Sequence, residues 1–144
     1  MNADVAENSF EGPPRPLVLL WHEGGVVEDH VDMMCATDPA GTDPLQTWRI
    51  PIRIDMMTEG DSTEVIELGR HRSEYLRYEG LVSGGRGSVT RIASGRFWSG
   101  DSIVAEETIT IEWMTGSAAG TTQKVRLEKS GSDAWMLHCT ARNP

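Results

Sequence analysis

Two histidines and an aspartate near the start of the chain have the types and spacing of a divalent-metal site: His22, then His30-Val31-Asp32 after a polar stretch. On an extended strand alternate side chains point to the same face, so His30 and Asp32 point together. If residues 17–22 and 29–36 form a hairpin, His22 at the end of the first strand sits across from them. Two imidazoles and one carboxylate converging on a point suit Mn²⁺, Zn²⁺ or Fe²⁺ and leave positions open for water and substrate. Taken singly, each histidine reads more simply as an ordinary residue, since most histidines are neither ligands nor catalysts, and H-x-D pairs arise often by chance.

Strands must position such a site, and the chain reads as strands from Leu17 onward. Trp48-Arg49-Ile50-Pro51-Ile52-Arg53-Ile54 alternates, with Trp48, Ile50, Ile52 and Ile54 on one face. Pro51, on the other face, lacks an amide hydrogen and places this strand near an edge or a bulge. Ile109, Ile111 and Trp113 alternate with Thr110 and Glu112, and Val125 and Leu127 with Lys124, Arg126 and Glu128. Trp135, Leu137 and Cys139 alternate with Met136 and His138, the pattern of half-buried strands with one wet face. Turn sequences separate them, among them Glu23-Gly24-Gly25, Asp38-Pro39-Ala40-Gly41, Gly84-Gly85-Arg86-Gly87 and Ser99-Gly100-Asp101. Only residues 71–78 suit a short helix. The expectation is all-β, with about eight short strands in a small antiparallel barrel or sandwich.

The 144 residues suffice for one domain with a real core, and 38% hydrophobic with 24% charged residues is ordinary globular composition. Residues 1–16, with Pro13, Pro14 and Pro16, read as a flexible tail, and residues 17–144 as the domain. No apolar run approaches the roughly 20 residues of a membrane span, and the N-terminal residues lack a secretory pattern, so a cytoplasmic protein is expected. Cys35 and Cys139 are too few for a disulfide framework, and Cys35 falls on the strand face opposite Asp32. A net charge of −9 argues against broad, non-specific binding to duplex phosphates. It leaves room for a narrow grip on one strand end by a few arginines.

An ordered set of segments adds to this reading: Leu17-Val18-Leu19-Leu20-Trp21-His22, His30-Val31-Asp32-Met33-Met34, Thr47-Trp48-Arg49-Ile50-Pro51, the stretch from His71 through Tyr75 to Gly80, and Ser83-Gly84-Gly85-Arg86-Gly87-Ser88-Val89. Together they resemble the 3′-phosphoesterase domain of the bacterial multifunctional DNA ligase D, and especially its stand-alone relatives. The likeness runs from about Pro16 to the end and includes Trp135-Met136-Leu137. It implies a compact β-barrel with at most one or two short helices, and a manganese-dependent hydrolase of DNA repair. Such an enzyme removes a 3′-terminal ribonucleotide and then the 3′-phosphate. The family's two metal histidines and aspartate fall on His22, His30 and Asp32, its later histidine on His71 and its tyrosine on Tyr75. His71 would act as proton donor or hydrogen bond to the phosphate. The nucleic-acid 3′ end of a primer–template is the implied partner, and any repair ligase or polymerase would be encoded separately.

One departure bears on catalysis. The family carries an arginine two residues after the metal aspartate, where it grips the phosphate, and this chain has Met34. A second family arginine is replaced by Thr63, and Arg70, Arg72 and Arg86 are the candidates to substitute. The alternative is therefore a catalytically impaired homologue that keeps the metal pocket as a binding module. Plainer readings stand beside the functional ones. Tyr75 and His71 also suit a helix packed on the barrel, and the Gly84–Gly87 stretch suits a hairpin turn as well as a phosphate cradle with Arg86. Of the five tryptophans, Trp48, Trp113 and Trp135 lie on apolar faces and read as core before base-stacking platforms. His138 reads as a solvent-facing strand residue.

Overall fold

Nine antiparallel strands carry most of the chain in a computed structural model that describes residues 12–99, 103 and 105–144. They are β1 (Arg15–Glu23), β2 (His30–Cys35), β3 (Gln46–Ile50), β4 (Ser62–Glu67), β5 (Gly80–Leu81), β6 (Ser88–Trp98), β7 (Glu107–Thr115), β8 (Thr122–Lys129) and β9 (Ala134–Asn143). The sheet runs β1-β2-β3-β4-β9-β8-β7-β6, and β1 pairs with β6 to close it into an eight-stranded barrel. β5 is an extra two-residue strand on the start of β6. Most of the 1–16 tail and the core of the Ser99-Gly100-Asp101 turn lie outside the described residues, while Arg15 and Pro16 already belong to β1. Among the described residues no helix is long and apolar enough to cross a membrane.

Alternation fills the barrel as expected. Trp113, Val125, Leu127, Trp135, Leu137 and Cys139 point inward with Leu17, Leu19 and Met33. Trp48 meets Trp135 edge to face, with ring centroids 6.1 Å apart. Each fully buried aliphatic or aromatic side chain here contributes roughly 1.5–3 kcal/mol.

The alternation from Trp48 to Ile54 is not a single strand, however. β3 ends at Ile50, Ile54–Met56 forms a 3-10 turn, and Ile52 is 46% exposed. Pro51 explains the break, because it offers no amide to continue the ladder. The 71–78 segment likewise holds only a 3-10 turn, Ser73–Leu76.

β1 and β2 are buried on both faces, which is why their sequences run apolar instead of alternating. Inside is the barrel core. Outside, Val18, Leu20, Met34 and Val89 pack under Leu76, Val82 and Tyr75 from the excursion between β4 and β6. This second, smaller core holds that excursion against the face that carries the site.

Candidate metal centre

β1 and β2 pair with His22 opposite His30 and Leu20 opposite Asp32. Residues directly opposite share a face, so His22, His30 and Asp32 come together, here on the outside of the barrel at the end of the hairpin. Asp32 Oδ2 lies 3.3 Å from His22 Nδ1, and Asp32 Oδ1 lies 3.0 Å from His30 Nε2. The two rings are 5.0 Å apart, and one ligand atom from each of the three residues falls within 4.8 Å of the others. Asp32 is 2% exposed and His30 6%.

Two backbone carbonyls fix which nitrogens face the carboxylate. His30 Nδ1 donates to the Glu28 carbonyl at 2.7 Å, and His22 Nε2 donates to the Arg86 carbonyl at 2.5 Å. A neutral imidazole then presents a lone pair at His30 Nε2 and at His22 Nδ1, the atoms nearest Asp32. Lone pairs facing a buried carboxylate are unfavourable until a cation sits among them. Asp32 Oδ1 is indeed buried without a hydrogen-bond donor, although His30 Nε2 is 3.0 Å away. Two donors each about 2.1 Å from one ion stand roughly 3.0–3.4 Å apart at angles of ~90–110°, a range that includes both Asp32–histidine separations. The residues thus fit a divalent cation, with carbonyls orienting both imidazoles as in known metal sites.

Glycine makes one of those carbonyls available. Gly87 has φ +83°, and a Cβ there would stand 2.1 Å from the Glu23 carbonyl oxygen. Only a residue without a side chain lets the 84–87 turn approach the end of β1 so closely. The turn therefore delivers the Arg86 carbonyl to His22. The Arg86 guanidinium folds back on its own turn, with Nε donating to the Ser83 carbonyl at 2.7 Å.

Beside the trio is a cavity of about 40 Å³, lined by His22, Asp32, Met34, His71, Tyr75 and Arg86 with Val82 and Val89. It has room for roughly two or three water-sized groups. His71 arrives on an isolated bridge to Leu45, and its Nδ1 donates to the Gly69 carbonyl at 2.8 Å, leaving Nε2 available. Tyr75 follows on the 3-10 turn, its ring 6.2 Å from that of His71 in an edge-on arrangement. So the two meet without the helix that sequence suggested. Arg72 is placed apart: it is exposed, lies 3.5 Å from Glu74, and lines a neighbouring groove with Tyr75 and Tyr78.

Cys35 points into the barrel, away from the site, and burial pushes its thiol pKa up to about 12. His138 lies on the outer surface of β9 beside Glu128, at 3.0 Å, and this contact holds the Glu128 carboxyl below its usual range. Sequence reading missed the orienting carbonyls of Glu28 and Arg86, since a backbone acceptor leaves no mark on residue type. No protein-family model matches the chain, and no curated protein matches it.

Proposed function

We propose that the protein is a divalent-metal-dependent phosphoesterase that trims nucleic-acid 3′ ends in DNA repair, with Mn²⁺ the expected ion and Zn²⁺ the alternative. The observation that carries this reading is the shared cavity. His71 and Tyr75, distant in sequence from the hairpin, line the same small space as His22 and Asp32. Those are four of the five positions that the ligase D resemblance implies for attack on a phosphoester, and His30, the fifth, lies 3.0 Å from Asp32.

His22, His30 and Asp32 would hold the ion. When bound, it supplies Lewis-acid polarisation of a phosphoryl oxygen and offsets the charge that develops as phosphorus becomes five-coordinate. His71, held through Nδ1 by the Gly69 carbonyl, keeps Nε2 to carry the proton exchanged with the leaving oxygen. The Tyr75 hydroxyl would donate to the phosphate. With a net charge of −9, contact is confined to a strand end of a primer–template.

A second reading has its own observation. Met34 is buried in an apolar cluster where the family has its arginine, which suits a binding module that has lost turnover. A labelled primer–template ending in one 3′-ribonucleotide, incubated with Mn²⁺, separates them. Shortening to a 3′-hydroxyl product, abolished by chelator and by His30→Ala, is the expected result. Tight metal binding without turnover would leave only the binding module.

A further inference from the structure

The outer face of β3 carries a cation, Arg49, directly across the ladder from Asp32. We propose that Arg49 is the phosphate anchor of this site, gripping a non-bridging oxygen of the substrate from the strand beside Asp32. The proposal rests on the phosphoesterase reading and deepens it by naming the residue that holds the anion.

In the β2–β3 ladder Asp32 stands directly opposite Arg49, while Met34 stands opposite Thr47. Opposite residues project from the same face with Cα atoms about 4.5–5.5 Å apart, so Arg49 leaves the sheet next to the metal carboxylate. Relative to position 34 the guanidinium has moved diagonally by one strand. The face is unchanged.

Its bonding state points to a ligand. Arg49 Nε is buried without a partner, and no hydrogen bond or ion pair joins its guanidinium to any described residue. A buried donor left unpaired is costly, and natural structures leave few of them. The other candidate arginines are engaged or displaced. Arg86 is tied to Ser83, Arg72 lies against Glu74, and Arg70 is exposed beyond the bridge; Arg91, whose Nε is likewise unpartnered, is held through its terminal nitrogen by the Leu76 carbonyl.

Space agrees. Arg49 and His30 line one open groove of about 690 Å³ that also meets Val27 and Ile66. The metal trio therefore stands between this groove and the smaller His71 cavity, with His30 on one and His22 on the other. Glu28, Asp29 and Glu64 also border the groove and repel anions. Phosphate binding must then depend on the ion and Arg49 together, and a guanidinium fork suits two phosphate oxygens better than a lysine does.

The test is equilibrium dialysis of radiolabelled inorganic phosphate against the full chain, with and without Mn²⁺, beside KM and kcat on the primer–template. Wild type is expected to take up phosphate only with Mn²⁺. Arg49→Gln should weaken that uptake about 10- to 100-fold, with Arg49→Lys between, while both variants keep wild-type Mn²⁺ binding and melting temperature. Arg126→Gln, on the surface of β8, should match wild type. Uptake by Arg49→Gln equal to wild type, or no uptake by the Mn²⁺-loaded wild type, would overturn the anchor. Primer processing with unchanged KM and kcat in Arg49→Gln would also overturn it and leave the phosphoesterase standing. Arg49-dependent uptake without primer processing would support the anchor and remove the phosphoesterase.

Discussion

His22 Nε2 lies 2.5 Å from the carbonyl oxygen of Arg86, a residue 64 positions later in the chain. The bond ties the first strand of the barrel to the turn that leads into β6, and it turns Nδ1 of the same ring toward Asp32. The glycine-rich turn is in this way part of the candidate metal centre, acting through backbone. Its approach depends on Gly87.

Gly87→Ala should therefore damage the metal site more than the fold. The new Cβ would meet the Glu23 carbonyl at 2.1 Å and the Gly25 nitrogen at 2.7 Å, so the turn must withdraw and release His22. Loss of an orienting partner of this kind typically weakens metal binding by about 10- to 100-fold. Chelator competition should register that loss while the far-ultraviolet circular dichroism stays that of the wild type. Gly120→Ala is the control: it also has positive φ, +87°, but nothing lies within 4 Å, and it sits in the turn between β7 and β8.

Met34 tests the second core. It is 1% exposed and packs in the cluster with Leu76 and Val82. Met34→Arg buries a guanidinium there and should destabilise the protein by about 3 kcal/mol or more, whereas Met34→Leu should cost less than ~1.5 kcal/mol. Urea unfolding midpoints would distinguish the two. An arginine restored at this position is thus expected to loosen the covering excursion before it aids a phosphate.

The barrel was legible because β7, β8 and β9 are wet on one side, and alternation marks such strands. Ile52 was misplaced because alternation continues past Pro51 although the ladder cannot. Spacing put His22, His30 and Asp32 on one face provided that residues 17–22 and 29–36 form a hairpin, and the ladder supplies that hairpin. What spacing could not reveal is which face of β1 and β2 carries the trio, since both faces are apolar and both are covered. Arg49 was hidden for a related reason. On its own strand it is simply a polar residue between Trp48 and Ile50, and only the register across to Asp32 gives it meaning.

Cys35 should be inert in the folded protein. Its thiol pKa of about 12, against 9.0 for an ordinary cysteine, lowers the thiolate fraction at pH 8 by about a thousandfold. Cys139 is equally buried. A disulfide-exchange reagent should label neither residue within the time in which it labels both in urea.

The most direct measurement is equilibrium dialysis of Mn²⁺ and Zn²⁺ against the purified chain. One ion per chain, lost in His22→Ala, His30→Ala and Asp32→Ala but kept in His138→Ala, is the result predicted by three ligands converging on one point. Absence of binding by the wild type, or binding that survives Asp32→Ala unchanged, would contradict the metal centre and the function built on it.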